Sequence, residues 1–348
     1  MKLHFLLFIV ILSLETSYSQ KKPSVQILTT GTNTSLRGMS VPTETVVWVS
    51  GSNGTIGKST DAGKTWRWLI VKGYEKRDFR DIEAFDSSTA IIMAVDNPAY
   101  ILKTIDGGTT WKKVFEKNMT GMFLDAMDFK NNKEGICIGD PLAIGTEARK
   151  FFYVIRTYDG GNTWIEIPPA QLVPAAGGEA IFSASGTNIS FLDHPDFEYA
   201  FVTGGLVSNL IMIGRHGKPN KAVNIPILQK KESAGTFSMA TDKPKKFYCI
   251  GGDYKMPKDN LNNFCFSLNG GAKWRVPVKG RPWGYRSCIR IIKNKTMIAC
   301  GTSGVDFAKN AQKQWENIST ESFNVCMFSK GGKVYLAGEK GKIGRLMY

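Results

Sequence analysis

The chain has 348 residues, of which 42% are hydrophobic and 22% charged, and its formal net charge is +15. This composition is ordinary for a globular protein, and the length is sufficient to bury a large core. The lysines and arginines are scattered, with no arginine-rich arm or basic helix, which argues against a nucleic-acid partner. A solvated basic surface and attraction to an anionic partner both stay open.

The first 20 residues resemble a secretory signal peptide. Lys2 precedes an apolar stretch over 6–14, and Ser17-Tyr18-Ser19, a small-x-small cleavage pattern, stands before Gln20. This stretch is too short for a membrane span, and no later stretch is long and apolar enough for one. We expect cleavage near Ser19–Gln20 and a secreted or periplasmic protein whose residues 21–348 form a single domain.

An eight-residue pattern recurs four times, each time between two strand-like runs. It is Ser-Thr-Asp-Ala-Gly-Lys-Thr-Trp at 59–66, with close copies at 104–111, 157–164 and 267–274. The short acid or amide bonds to nearby backbone N–H groups, glycine takes the positive φ of a tight hairpin, and tryptophan buries a large ring. The residues predicted to have this structural role are Asp61, Trp66, Asp106, Trp111, Asp159, Trp164, Asn269 and Trp274.

Strand-like runs alternate with turn residues about every ten positions, and no segment keeps a helical period over three turns. The spacing of the tryptophans suits propeller blades of about 40–50 residues. The first three predicted blades have strands at 35–41, 45–50, 55–59 and 66–71; at 79–85, 89–95, 100–104 and 111–115; and at 123–129, 135–139, 151–157 and 164–167. A long loop at 139–152 separates two strands of the third.

The fourth blade is predicted at 179–184, 199–204, 210–215 and 222–227, although it lacks the hairpin pattern. The fifth runs over 235–276 with a loop at 252–263, and the sixth ends at Trp315. The last contributes 323–328, 333–337 and 342–348, and the spare strand 24–30 completes it. The predicted fold is therefore all-β, a seven-bladed propeller of four-stranded antiparallel blades, closed by the N-terminal strand in the last blade.

The repeated hairpin resembles the Asp-box, or bacterial neuraminidase repeat, and the phrase over 51–66 resembles the photosystem II stability/assembly factor family. That resemblance implies an exported propeller that helps to assemble a protein complex. Asp-boxes also occur in sialidases and xyloglucan hydrolases, so the motif indicates architecture rather than activity.

Geometry places any site on the face away from the hairpins, where the first strands begin around a central channel. Arg37, Arg80 and Arg286 are predicted there as an anion-binding cluster, together with Asp96. The acids in comparable places are Asp81, Asp125, Asp140 and Glu179, which are the candidate catalytic residues. Pairing between these arginines and acids, tying blades together, is the structural alternative.

Two classes of function follow. The first is a scaffold that binds a protein complex or an anionic glycan through the channel face, as a monomer. The second is a glycoside hydrolase or sialidase-like enzyme that uses two carboxylates. An oxidoreductase is a third alternative, but the glycines of 51–57 lie between strands rather than opening a helix, so no cofactor is predicted.

The cysteines and histidines point to no metal site. Only His194 and His216 follow the predicted signal peptide, and none of the cysteines forms a C-x-x-C pair. All six cysteines lie in strand-like runs and are expected as buried free thiols, with a Cys249–Cys265 bridge as the alternative in an oxidising compartment.

Overall fold

The computed structural model describes residues 22–143 and 149–348. They form seven antiparallel sheets arranged as the blades of a propeller, and none of the described residues is α-helical. The predicted all-β, seven-bladed fold is confirmed. The predicted signal peptide, residues 1–20, lies outside the described residues.

Each blade has four main strands, named a to d from the channel outwards. Blades 1 to 3 comprise Leu36–Ser40, Val47–Gly51, Thr55–Ser59 and Arg67–Ile70; Phe79–Ala84, Ala90–Ala94, Ala99–Thr104 and Lys112–Lys117; and Leu124–Phe129, Gly135–Ala143, Lys150–Thr157 and Ile165–Glu166. Blades 4 and 5 comprise Ile189–Phe191, Phe197–Val202, Asn209–Gly214 and Lys221–Asn224; and Ala234–Lys243, Lys246–Asp253, Phe264–Ser267 and Trp274–Arg275. Blades 6 and 7 comprise Cys288–Lys293, Thr296–Gly301, Gly304–Asn310 and Gln314–Ser319; and Val325–Phe328, Val334–Ala337, Lys342–Met347 and Ser24–Thr30.

The remaining regular structure is short. The two-residue strands Glu179–Ala180 and Gly204–Gly205 extend the sheet of blade 5, and single 3-10 turns occur at Pro169–Gln171 and Glu339–Gly341. Part of the predicted loop at 139–152 continues strands b and c of blade 3, and its residues 144–148 lie outside the description. Within the described ranges, no helix has the length and apolar character needed to span a bilayer.

The N-terminal strand closes the ring, as predicted. Ser24–Thr30 pairs antiparallel with Lys342–Met347 and becomes strand d of blade 7. Strands from both ends of the described chain therefore share one sheet. Closure also covers a sheet edge that would otherwise be open to other chains.

The blades are joined near the channel by their a strands, each of which contacts the next around the whole ring. Side chains on these strands accept backbone N–H groups of the following blade. Asp81 Oδ2 accepts from Met127 N at 2.7 Å, and Ser238 Oγ accepts from Ile289 N at 3.0 Å. These bonds fix the relative height of neighbouring blades, while apolar clusters between the sheets supply most of the buried surface.

The predicted first strand of blade 4, at 179–184, was wrong. Strand a of this blade is Ile189–Phe191, whereas Glu179–Ala180 pairs with Gly204–Gly205 at the end of the blade 5 sheet. The segment between them, 181–188, crosses the channel opening instead of joining a sheet. This segment is rich in serine, glycine and threonine and has no alternating apolar pattern. Because blade 4 also lacks the repeated hairpin, the sequence has no signal for where its strand a begins.

The four repeated hairpins have the hydrogen bonds expected from their composition. In the first, Asp61 Oδ1 accepts from Thr65 N at 2.9 Å, and Gly63 N donates to Ser59 Oγ at 2.8 Å. The Trp66 indole N–H donates to the carbonyl oxygen of Gly63 at 3.1 Å. In three of the four turns, both consecutive glycines have positive φ; the first has Ala62 and Gly63.

Candidate functional site

Antiparallel pairing separates the two faces of the ring. Leu36, at the start of strand a, pairs with Gly51 at the end of strand b, and the repeated hairpins follow the far end of strand c. The hairpins therefore lie on one face, and the starts of the a strands lie on the other, which we call the mouth face. The hairpins and the starts of the a strands were predicted to lie on opposite faces, and the structure has this arrangement.

A β-bulge at the start of strand a aims one side chain from several blades at the channel. Register shifts occur between Leu36 and Gly38 and between Phe79 and Asp81, so that Arg37 and Arg80 are the extra residues. A bulge residue is left out of the ladder, which frees its side chain to point away from the sheet. Two equivalent bulges thus bring the two arginines to the same opening.

The mouth face contains a cavity of about 430 Å³ at this opening. Its lining combines two arginines, one acid and an aromatic wall, contributed by six blades and the segment 181–188. The lining residues are Arg37, Arg80, Phe123, Asp140, Ala180, Ile181, Phe182, Ser183, Ala184, Phe237, Tyr254, Tyr285, Thr302 and Asn324.

Arg37 is the cation of this cavity that has no partner. Its side chain is half-buried, and within the described residues its guanidinium makes no hydrogen bond and no ion pair. Burial, and then the neighbouring charge of Arg80, lower the pKa of Arg37 below its usual value. An acceptor in the cavity would relieve both effects, because a guanidinium offers five donors to a carboxylate, sulfate or phosphate.

Arg80 is positioned by neighbours on either side. Its Nε donates to Asp78 Oδ2 at 2.7 Å, and its Nη1 donates to the carbonyl oxygen of Ser183 at 3.3 Å. The guanidinium carbon lies 5.6 Å from the centre of the Phe123 ring. Arg80 is therefore held in place while part of its guanidinium still faces the cavity.

Another part of the cavity wall is aromatic. The rings of Phe182 and Phe237 are stacked with centroids 4.0 Å apart, and Tyr285 meets Phe237 edge-on at 4.7 Å. Tyr254, which is 46% exposed, closes the wall towards solvent. Such a wall suits the apolar part of a ligand whose anionic end reaches the arginines.

Of the four acids predicted as catalytic, only Asp140 lines the cavity. Its Oδ1 accepts from Ile181 N at 2.9 Å, and burial raises the pKa of its carboxyl. Asp125 lies beneath it, fully buried, with no well-aligned hydrogen bond to either carboxylate oxygen among the described residues. Burial, and then the charge of Asp140, raise the pKa of Asp125 well above its usual range.

The other two acids have structural partners. Asp81 bridges blades 2 and 3 through two backbone N–H groups, and burial raises its pKa to about 7. Glu179 is buried and accepts hydrogen bonds from Thr203, Asn209 and the backbone of 176. Asp96, predicted to bind ligand, is exposed on the b–c turn of blade 2 and does not line the cavity.

The structure does not bring Arg286 together with Arg37 and Arg80. In blade 6, Gly301 faces the backbone of Arg286, as Gly51 faces the backbone of Leu36 in blade 1. Arg286 therefore corresponds to Leu36, the residue before the bulge, and not to Arg37. A shift of one residue turns a strand side chain to the other face. The guanidinium is fully buried and its Nε donates to Asp306 Oδ2 at 2.7 Å.

The sequence interpretation missed the aromatic wall. A glycine near the end of strand b could have located this wall. In several blades this glycine lies opposite the residue of strand a that precedes the bulge, so it marks which residue of strand a points into the channel. In blade 5, Gly251 pairs with Thr236, as Gly51 pairs with Leu36 in blade 1. The next residue, Phe237, therefore occupies the position that Arg37 has in blade 1. Phe182 had no such signal, since it lies in the segment that joins no blade.

Three cysteines form the one group of potential metal ligands found in the described ranges. The sulfur atoms of Cys288, Cys300 and Cys326 all lie within 4.8 Å of one another in the core, and none of the three lines the cavity. Cys288 Sγ accepts from Cys326 N at 3.4 Å, a contact between blades 6 and 7. Ser238 makes the equivalent contact between blades 5 and 6. All six cysteines are buried free thiols, as predicted, and Cys249 lies opposite Cys265 without a bond.

No family model matches this sequence, and no curated protein does either. Among solved structures, one described as YCF48 bound to D1 peptide is similar over 94% of this chain and 98% of its own, with 16% identity and a TM-score of 0.64. YCF48 from Cyanidioschyzon merolae is similar over 92% and 98%, at 12% identity and a TM-score of 0.62. A streptogramin B lyase is similar over 93% and 97%, at 12% identity and a TM-score of 0.63. At these identities, what the chain shares with all three is the propeller fold.

Proposed function

We propose that this protein is an exported binding or assembly scaffold that holds an anionic group of a protein partner in its mouth cavity. The observation that carries the proposal is the guanidinium of Arg37, which has no partner among the described residues and which the bulge of its strand directs into the cavity. An ion taken out of water without a partner costs free energy, and an anionic ligand recovers it.

The rest of the cavity supports the same chemistry. Arg80 adds a second positive charge, and Asp140 is the one acid among the described residues of the lining; burial raises the pKa of its carboxyl. The stacked rings of Phe182 and Phe237 offer an apolar surface beside these charges. A carboxylate attached to a peptide satisfies both halves of the cavity.

A protein partner is favoured over an anionic glycan by the structural similarity to YCF48, which has been solved with a bound D1 peptide. Hydrolysis has less support. A two-carboxylate mechanism needs a second acid facing the same space as Asp140. Asp81, Asp125 and Glu179 do not line the cavity.

Export is part of the proposal and rests on the sequence of residues 1–20, with their basic start, apolar stretch and small residues before Gln20. We propose that the mature protein acts in the periplasm or outside the cell. Mass spectrometry of the N-terminus in the exported fraction tests this, and an uncleaved Met1 in the mature protein would contradict it.

The binding proposal is tested with a fluorescein-labelled peptide that has a free C-terminal carboxylate and with its C-terminal amide. Replacing Arg37 with methionine should weaken binding of the free acid at least tenfold, since a hydrogen bond to a charged group contributes about 1.5–3 kcal/mol. Binding of the amide should be weak in both proteins. Arg275→Met is the matched control, because Arg275 is exposed on the outer strand of blade 5.

Equal affinity for acid and amide would contradict a carboxylate site. A heparin fragment serves as the glycan probe. Tighter binding of heparin than of the peptide, lost in Arg37→Met, would assign the cavity to an anionic glycan instead.

A further inference from the structure

A second depression on the molecule lies at blade 6, between the loop 278–283 and strand d of this blade. It is a groove of about 800 Å³. Two apolar side chains on its wall are unusually open to solvent: Val278 is 84% exposed and Trp283 is 63% exposed. Large apolar groups left in water on a folded protein indicate an interaction site when they share one surface.

The wall of this groove is rigid. Trp283 N donates to Asp306 Oδ2, at 3.0 Å, and Trp315 N donates to the carbonyl oxygen of Gly280 at 2.9 Å. The side-chain amide of Asn263 donates to the carbonyl oxygens of Pro282 and Gly284. Trp283 is thus presented by a backbone that is bonded on both sides, so little conformational entropy is lost when a partner covers it.

The charges around the groove are unbalanced. Lys22, Lys279 and Arg281 line it and make no ion pair within the described residues, whereas Glu316 is its one carboxylate. Unpaired cations beside exposed apolar groups are complementary to a segment that carries both acidic and aliphatic side chains.

The groove lies close to the mouth cavity. Trp283 lines the groove and Tyr285, two residues later, lines the cavity. Two residues of extended chain span about 7 Å. Tyr254 and Met256, both exposed, stand on the neighbouring loop. An extended peptide of about ten residues, which reaches roughly 33 Å, is long enough to occupy both sites at once.

We propose that the groove binds an acidic, aliphatic segment of the same partner chain whose anionic group enters the mouth cavity. The inference rests on the proposed function and adds the chemistry of the partner beyond its anionic group. Trp283 and Val278 contact the aliphatic side chains, while Lys22, Lys279 and Arg281 face the acidic ones.

The test uses the full chain and labelled peptides of about ten residues with a free C-terminal carboxylate. One peptide alternates glutamate and leucine ahead of its C-terminal part, and a second has lysine in place of glutamate. The first should bind at least tenfold more tightly. Trp283→Ala and Arg281→Glu should each weaken binding of the glutamate peptide about tenfold and leave the melting temperature unchanged.

Ile105→Ala is the matched control, because Ile105 is 74% exposed on a hairpin of the opposite face, and it should bind like the parent. If Trp283→Ala binds the glutamate peptide like the parent while the C-terminal amide still binds weakly, the groove proposal is overturned and the cavity proposal stands. If the acid and amide forms bind equally but Trp283→Ala is weakened, the groove proposal is supported and the carboxylate site is not. No binding of this peptide by the parent would overturn both.

Discussion

Replacing Arg286 with methionine should destabilise the fold strongly and leave anion binding in the mouth cavity intact. Arg286 and Asp306 are both fully buried, with Nε and Oδ2 2.7 Å apart. Without the guanidinium, the carboxylate keeps only the N–H of Trp283 at 3.0 Å and the amide of Asn317 at 3.1 Å. Removing one partner of such a pair leaves a buried charge uncompensated, which costs about 3–5 kcal/mol.

The measurement is urea unfolding of the parent, of Arg286→Met and of a double variant that also carries Asp306→Asn. The double variant should regain much of the loss, because the neutral amide oxygen still accepts from Trp283 N and no charge stays buried. Peptide binding is measured alongside, below the unfolding transition. An Arg286→Met protein that unfolds like the parent but no longer binds the carboxylate would refute the assignment of this arginine to the framework.

Three further predictions concern the hairpins and the buried acids. Gly160 and Gly270 both have a left-handed backbone, with φ of 72° and 71°. A Cβ added at Gly160 would lie 2.7 Å from the carbonyl oxygen of Asn132, whereas one added at Gly270 would lie in open space. In urea unfolding, Gly270→Ala should therefore cost about 1 kcal/mol and Gly160→Ala about 2–3 kcal/mol, and equal losses would contradict the close approach. Hydrogen bonds from the threonine of its own hairpin lower the pKa of Asp61 from 3.8 to about 2, so its contribution to stability is present above 3.8 and lost as the pH falls through 2. Acid unfolding should show a smaller loss over that range in Asp61→Asn. Burial raises the pKa of Asp81 from 3.8 to about 7, so its contribution is full below pH 3.8 and lost as the pH rises through 7. In carboxyl NMR, a resonance that titrates near 7 should be missing in Asp81→Asn, and titration of Asp81 near 4 would contradict its raised pKa.

The blade order could be predicted because the repeated hairpins mark the c–d turn by local chemistry. Asp61, Trp66 and the glycine between them form their contacts within a few residues of one another, so their pattern is visible in the chain. Closure by Ser24–Thr30 was also accessible, since the last blade was one strand short. Blade 4 shows the limit, because its first strand, Ile189–Phe191, follows a segment without any periodic signal.

The site was harder to predict because it depends on register. Arg37 and Arg286 both stand near the start of strand a, and the sequence assigns them the same role. The bulge places Arg37 in the channel, while Arg286, one position earlier, enters the core. Bulges depend on the pairing of two strands, so a single strand read alone does not determine which residue is left over.

The arrangement around the channel explains how the fold tolerates an unpaired cation. Several blades are bonded to the next beneath the cavity by side-chain acceptors, such as Ser40, which accepts from Ala84 N at 3.1 Å, and Asp81, which accepts from Met127 N. Arg37 takes no part in these contacts. Arg37 therefore makes no structural contact of this kind among the described residues. The free-energy cost of burying its guanidinium is offset by the other interactions that stabilise the ring. Because Arg37 makes none of these framework contacts, substitutions at Arg37 can change the anion affinity of the cavity without changing the contacts that hold the blades together.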